Sequence, residues 1–153
     1  MIQGARYVHT NLIARDWQSL VKFYESVFGC VFVPPERNLS GPALEAGTGV
    51  KGSGVRGMHL RLPGYGPEGP TLEIFGYTHL EAGPTPVVNR AGFQHIAFEV
   101  PSVPDAQQAV LAAGGSAVGE IVTRAIGAAR RVTWCSVTDP ERNIIELQSW
   151  TED

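Results

Sequence analysis

The chain has 153 residues, of which 43% are apolar and 18% charged, as in an ordinary globular protein and unlike a disordered chain or a disulfide-rich miniprotein. A formal net charge of -3 argues against a general nucleic-acid-binding surface. No apolar run reaches the roughly 18 residues of a membrane span, and the first residues lack the pattern of a secretory signal. We therefore expect a cytoplasmic protein with neither a membrane nor a nucleic-acid partner, and expect Cys30 and Cys135 to be reduced thiols.

The first half of the sequence has the pattern of a strand, a helix and three further strands. Asp16 stands at the N-cap of a predicted helix whose apolar residues recur at three- and four-residue steps until Gly29. A short strand follows and is expected to end at Pro34 and Pro35. The four predicted strands of this half span residues 7–14, 30–33, 55–62 and 71–77.

The second half repeats this order. Its helix begins near Pro104 and ends at Gly114 and Gly115. Its predicted strands span residues 92–100, 117–121, 131–137 and 143–148. The pattern therefore predicts an α+β fold of two βαβββ modules, since the order of elements is the same in both halves.

We expect these modules to form a single domain over residues 1–153, because each half alone would leave one face of its sheet exposed. The modules span about residues 6–77 and 92–149, with a linker at about 78–91. Within the first module, the glycine-rich stretch 34–57 is long enough to serve as a lid, and a short helix over 42–46 is an alternative. It does not match the order of a phosphate-binding loop.

One His and one Glu occupy equivalent places in the two halves. His9 and His95 lie in the opening strands, and Glu73 and Glu146 lie in the closing strands. The neighbours of each Glu are apolar and point to the opposite face, so both carboxylates are expected to line one concavity. Two imidazoles and two carboxylates suit a divalent ion such as Zn²⁺, Ni²⁺ or Co²⁺, with Mn²⁺ and Fe²⁺ as further alternatives.

Each of these residues alone has a simpler interpretation. A single His in a strand is commonly a hydrogen-bonded structural residue, and a single Glu commonly lies on the solvated face of a half-buried strand. The repetition of both residue types favours the metal site. The other histidines, His59 and His79, have no counterpart in the other half, so we expect structural or solvated roles for them.

Three segments resemble the vicinal-oxygen-chelate superfamily, which contains glyoxalases, bleomycin resistance proteins and extradiol dioxygenases. Residues 16–29 resemble its "D…FY…vLG" helix, residues 92–100 its "G.xHiaF.V" strand, and residues 139–147 its "DPdGNxiEL" hairpin, although Arg142 replaces the usual Gly. The resemblance implies a curved mixed sheet that forms a cup around a metal, with helices on the outer face. It also implies a homodimer. The positions that match the family's metal ligands are His9, Glu73, His95 and Glu146.

The resemblance is greatest to glyoxalase-type members and implies a lyase or isomerase. A metal in an open cup polarises vicinal oxygens of a small substrate, and Glu146 or Glu73 then abstracts the proton next to a carbonyl, as in lactoylglutathione lyases. The alternative is a metal-independent small-molecule binding or antibiotic-resistance protein. An extradiol-type dioxygenase is a weaker alternative, because such enzymes hold Fe²⁺ with three protein ligands.

The sequence does not identify the substrate, and a glutathione adduct, a CoA thioester and a hydroxy-ketone all remain open. An arginine at the rim of the cup is expected to bind an anionic group of the substrate. The candidates are Arg6, Arg56, Arg61, Arg124, Arg130 and Arg131.

Overall fold

A computed structural model describes residues 2–152, which divide into two compact units between Ala82 and Gly83. The elements of the first unit are β1 (His9–Ile13), α1 (Trp17–Phe28), β2 (Val31–Ser40), α2 (Pro42–Thr48), β3 (Gly54–Arg61) and β4 (Thr71–Tyr77). Their strands form a mixed sheet of order β1-β4-β3-β2, in which β1 and β4 are parallel. The predicted α+β order is confirmed in this unit, with α2 as an addition.

The second unit has the same plan. Its elements are β5 (His95–Glu99), α3 (Val103–Ala112), β6 (Ser116–Ala117), β7 (Val122–Ile126), β8 (Arg130–Thr138) and β9 (Ile144–Glu152). The sheet order is β5-β9-β8-β6, with β7 also paired to β8 and with β5 parallel to β9. The strand order therefore matches that of the first unit, as expected for paired βαβββ modules, except that β6 and β7 together take the place of the single strand β2.

Helix α1 forms where the sequence predicts it. The Asp16 side chain accepts a hydrogen bond from the backbone N–H of Ser19 at 3.0 Å, and Gly29 ends the helix in a left-handed conformation with φ of 67°. The helix packs against β3 and β4 and buries Leu20 and Tyr24 completely. Burial of this apolar face supplies the main driving force for packing the helix on the sheet.

The helix of each unit covers the face that carries no Glu. A side chain at Gly76 in β4 would meet the Trp17 ring of α1 at 2.9 Å, so α1 lies on the Gly76 side of its sheet. In the second unit, the Gln107 amide of α3 donates to the sulfur of Cys135 in β8. Because side chains alternate along a strand, the opposite faces, which carry Glu73 and Glu146, are free of these helices.

Strand β2 corrects the prediction that Pro34 and Pro35 end it. The strand continues to Ser40, and its pairing with β3 shifts between Val33 and Arg37, where the prolines lie. Because β2 is an edge strand, a residue without a backbone N–H is tolerated on its unpaired side. The prolines therefore interrupt the register without ending the strand.

The expected lid is largely regular structure. Much of the stretch 34–57 belongs to β2, to β3 and to helix α2, and the connection between α2 and β3 is only residues 49–53. The alternative of a short helix is confirmed by α2. In the second unit, the strand predicted over 117–121 is wrong: pairing with β8 occurs at 116–117 and again at 122–126, and residues 118–121 lie between.

The turn before β9 contains the residue that departs from the family pattern. Arg142 has φ of 74°, a conformation that is unfavourable for a side chain with a Cβ atom. Asp139 stabilises the turn, since its carboxylate accepts from the backbone N–H of Asn143 at 2.9 Å and from its side-chain amide at 2.8 Å.

Both cysteines are free thiols, as predicted, and both are buried. None of the described helices combines the length and the apolar composition needed to cross a membrane.

Candidate functional site

The sheet register places the four predicted ligands identically in the two units. In the first unit Glu73 of β4 pairs with Asn11 of β1, and His9 lies two residues before Asn11. In the second unit Glu146 of β9 pairs with Ala97 of β5, and His95 lies two residues before Ala97. Residues two apart in a strand share a face, so each unit presents one His and one Glu together on the face that its helix leaves free.

In the first unit the His and the Glu are close. The Nε2 atom of His9 lies 3.6 Å from Oε2 of Glu73. The His9 side chain is 39% exposed, whereas that of Glu73 is 16% exposed. The pair is therefore partly buried on the carboxylate side and open to solvent on the imidazole side.

Glu73 has two further partners on the neighbouring strands. The side-chain amide of Asn11 donates to Oε2 of Glu73 at 2.8 Å, and Nε2 of His59 lies 3.0 Å from Oε1. Since β4 lies between β1 and β3 in the sheet, each carboxylate oxygen is contacted from a different side. Glu73 is thus the centre of a polar cluster with His9, Asn11 and His59.

The environment of His59 favours its neutral form. Burial lowers the pKa of His59 below its ordinary value, and the nearby charges of Arg37 and His9 act in the same direction, whereas Glu73 opposes the shift. The other ring nitrogen, Nδ1, lies 2.9 Å from the hydroxyl of Thr71. Both nitrogens of this imidazole therefore have a partner in the sheet.

The corresponding part of the second unit is less polar. Ser136 of β8 pairs with Glu146, where His59 of β3 pairs with Glu73, and Ala97 stands where the first unit has Asn11. Within residues 2–152, no hydrogen bond or ion pair engages the Glu146 carboxylate. The two glutamates thus share a register position but differ in how firmly their carboxylates are held.

The structure brings together His9 and Glu73, and it places His95 and Glu146 on one face of their own sheet. In the part of the chain that the structure describes, no group of three or more His, Cys, Asp or Glu side chains meets the requirements of a metal site. The expectation for His79 agrees with its exposed position. The partly buried His59 agrees with the structural role that was the other expected alternative, and it contacts Glu73 directly.

Sequence analysis missed two residues of this cluster, His59 and Asn11. The alternation of side chains along β1 places Asn11 on the same face as His9. Alternation along β3 likewise assigns His59 to a face of its strand, but it does not say which residue of β4 lies opposite. Their proximity to Glu73 follows only from the pairing register. The segment joining β3 to β4 spans residues 62–70 and is too long for a two-residue hairpin turn to fix this register from sequence.

Three of the six candidate arginines have partners within the protein. Arg56 forms an ion pair with Glu36 at 2.8 Å, Arg61 donates to the backbone oxygen of Gly69 at 2.7 Å, and Arg130 lies over the ring of Trp150 at 4.5 Å. Arg6 and Arg124 are exposed. The expected arginine contact with a substrate therefore stays a prediction.

A cleft of about 480 Å³ lies on the helix side of the first unit and is lined by residues that include Trp17, Phe32 and Met58. None of the predicted ligands contributes to it. The predicted ligands at the equivalent register positions lie on the opposite face of the sheet, so this cleft is not the candidate site.

Comparison with known proteins identifies the class. The sequence profile of the Glyoxalase/Bleomycin resistance protein/Dioxygenase superfamily matches residues 6–147. The chain therefore belongs to this superfamily. No curated protein matches the sequence significantly.

Solved structures agree on the fold. A glyoxalase family protein from Bacillus cereus is 17% identical, with a TM-score of 0.74 and coverage of 98% of this chain and 95% of the other. A glyoxalase/bleomycin resistance protein/dioxygenase family enzyme from Burkholderia phytofirmans is 16% identical, with a TM-score of 0.60 and coverage of 95% and 98%. The fosfomycin resistance protein FosX from Listeria monocytogenes is 18% identical, with a TM-score of 0.59 and coverage of 99% and 96%. At these identities the likeness shows the fold alone.

Proposed function

We propose that the protein is a metal-dependent lyase or isomerase of glyoxalase type, which transfers a proton next to a carbonyl in a small substrate with vicinal oxygens. The observation that supports this most directly is the register: each unit presents a His two residues before the strand partner of a Glu. In this proposal His9, Glu73, His95 and Glu146 hold one ion, and the two modules act as one domain. A homodimer belongs to the same proposal and rests on family membership, and a cytoplasmic location is proposed with it from the sequence.

The donor atoms of the first unit fit a divalent ion. Two ligands at about 2.1 Å from a tetrahedral centre lie roughly 3.4 Å apart, and the His9 and Glu73 donors are 3.6 Å apart. Nitrogen and oxygen donors together suit Zn²⁺, Ni²⁺ or Co²⁺. When bound, such an ion withdraws charge from a substrate carbonyl oxygen and thereby lowers the pKa of the adjacent C–H.

Glu146 is the better candidate for the base. A general base must lie within hydrogen-bond reach of the proton that it abstracts, and a carboxylate that no other group holds can approach both the carbon that loses the proton and the one that receives it. The carboxylate of Glu73 is held by Asn11 at 2.8 Å and contacted by His59 at 3.0 Å, so it is suited to remain in place. Glu146 pairs with Ala97 and Ser136 instead, and this setting leaves its carboxylate free to take and return the proton.

The experiment measures proton abstraction directly. The Co²⁺-loaded protein is incubated in deuterated buffer with the hemithioacetal of methylglyoxal and glutathione, a CoA thioester and a hydroxy-ketone, and deuterium incorporation is followed by NMR. We expect exchange with one of these substrates and a loss of about 10²- to 10⁴-fold in Glu146→Gln, the usual contribution of a general base. No exchange with any of the three would contradict the proposal and favour a binding protein.

Measuring Co²⁺ affinity in the Glu73→Gln and Glu146→Gln variants distinguishes the role of Glu73 from that of Glu146. Because Glu146 is both a ligand and the proposed base, Glu146→Gln should lower Co²⁺ affinity but reduce deuterium exchange by a much larger factor, whereas Glu73→Gln should mainly lower Co²⁺ affinity. Equal exchange rates in the wild type and Glu146→Gln, with metal bound to both, would exclude Glu146 as the base.

A further inference from the structure

We propose that His59 is a positioning residue that fixes the carboxylate of Glu73 as a stationary metal ligand, a role that rests on the proposed function. His59 has no counterpart at the matching position of the second unit, so the repeat that indicates the four ligands does not indicate it. Its role is argued from its contacts in the sheet of the first unit.

Glu73 is restrained at both of its oxygens. Its strand, β4, lies between β1 and β3, and the two contacts come from these two flanking strands. Asn11 donates to Oε2 at 2.8 Å, and Nε2 of His59 lies 3.0 Å from Oε1. A carboxylate contacted at both oxygens cannot rotate about its terminal bond without losing one contact, so the lone pairs that face His9 stay oriented.

Thr71 orients the imidazole of His59. The hydroxyl of Thr71 lies 2.9 Å from Nδ1. A neutral imidazole has one donor and one acceptor nitrogen. When the hydroxyl donates to Nδ1, the ring proton resides on Nε2, the atom that faces Glu73. The chain Thr71–His59–Glu73 then resembles the outer-shell hydrogen bonds that orient ligands at many metal sites.

The contact between His59 and Glu73 is more protected from solvent than the contact between His9 and Glu73. The His59 side chain is 17% exposed and that of Glu73 16% exposed, whereas His9 is 39% exposed. Hydrogen bonds to a charged group gain strength as water is removed from their surroundings. His59 is therefore suited to restrain the carboxylate, and the more open His9 is suited to bind an ion.

The second unit offers a matched control. Ser136 pairs with Glu146 as His59 pairs with Glu73, and no contact between the Ser136 hydroxyl and Glu146 is found within residues 2–152. Replacing Ser136 therefore alters the equivalent position without removing a restraint on a carboxylate.

The experiment measures Co²⁺ binding by calorimetry and by the visible absorption of the bound ion, in the full-length protein. We expect His59→Leu to bind one Co²⁺ with an affinity lower by about 10- to 100-fold, the usual effect of losing an outer-shell partner, and with an altered absorption spectrum. His59→Gln keeps an N–H donor near the Nε2 position and should recover most of the affinity. Ser136→Ala should bind Co²⁺ like the wild type.

Circular dichroism of the metal-free variants checks that each folds. If His59→Leu does not fold, Thr71→Val replaces it, because this nearly isosteric change removes only the hydroxyl that orients His59; we expect it to lower Co²⁺ affinity by a smaller factor. Unchanged affinity in both variants would overturn the inference.

The remaining outcomes are also decisive. Complete loss of Co²⁺ in His59→Leu without recovery in His59→Gln would make His59 a direct ligand and overturn the positioning role. An equal loss in Ser136→Ala would do the same. A wild-type protein that binds no Co²⁺ would overturn the proposed function itself, together with this inference.

Discussion

The side-chain amide of Asn11 donates a hydrogen bond to Oε2 of Glu73 across the neighbouring strands β1 and β4, with 2.8 Å between Nδ2 and the oxygen. Because His59 contacts the other oxygen of the same carboxylate, the two restraints act as a unit. Loss of either one should already free the carboxylate to rotate.

We therefore expect the effects of Asn11→Ala and His59→Leu on Co²⁺ affinity to be non-additive. The double variant should lose less affinity than the product of the two single losses. Calorimetric titration of the four proteins measures the coupling. Asn11→Ala combined with Ser136→Ala is the control, and there the factors should multiply. Multiplying factors in the first pair would show that the two contacts are independent.

The pH dependence of stability should change at His59. Its pKa is lowered in the folded chain, chiefly by burial, so the unfolded chain binds more protons between the lowered value and the ordinary value of about 6.5. The free energy of unfolding therefore rises with pH in this interval, and the stability that neutral His59 contributes is lost as the pH falls through it.

Metal-free wild-type protein should thus lose more stability than His59→Gln between about pH 7.5 and pH 5.5, as measured by urea denaturation. A wild type that gains stability relative to His59→Gln on acidification would mean that attraction to Glu73 outweighs burial.

The turn before β9 should become more stable with glycine. Arg142 has φ of 74°, which costs a residue with a Cβ roughly 1–2 kcal/mol, and the greater freedom of glycine in the unfolded chain offsets part of the gain. We expect Arg142→Gly to raise the free energy of unfolding by about 0.5–1 kcal/mol. Arg142→Ala keeps the Cβ and should give no such gain. Equal gains in both would show that the arginine side chain, rather than the backbone, is responsible.

Cys30 should be inert in the folded protein. Burial raises the pKa of the Cys30 thiol to about 12 and also raises that of Cys135, while the thiolate is the reactive form. Alkylation near pH 8 followed by mass spectrometry should label neither cysteine in the native chain and both in guanidinium chloride. Rapid labelling of native wild type but not of Cys30→Ser would contradict the buried position of Cys30.

The sequence predicts most of the elements, because periodicity and capping are local properties. Helix α1 begins after Asp16 and ends before Gly29 as predicted, and β4 has its predicted bounds. The extent of β2 is not predictable in this way, since whether Pro34 ends a strand depends on its position at the edge of the sheet. The pairing of β6 with the far end of β8 is likewise not predictable locally, because Ser116 pairs with Thr138, whereas β7 and β8 form a hairpin in which Ile126 pairs with Arg130.

The residues of the candidate site likewise fall into those that the sequence predicts and those that depend on strand pairing. The equivalence of Glu73 and Glu146 is visible in the sequence because the motif repeats. The role of His59 is not visible, since it depends on the pairing register of β3 and β4, which a connection of nine residues (62–70) does not fix from sequence. A residue that breaks the repeat is easily set aside in a comparison of the two halves.

The proposal that His9, Glu73, His95 and Glu146 are ligands of a divalent ion is tested by the stoichiometry and affinity of Co²⁺ binding. The wild type, His9→Ala and His95→Ala are titrated with Co²⁺ after removal of bound metal, with His79→Ala as a control for loss of an exposed imidazole. We expect one Co²⁺ per chain in the wild type and in His79→Ala, and a large loss of affinity in both His9→Ala and His95→Ala. Retention of wild-type Co²⁺ binding by His95→Ala would contradict the proposal.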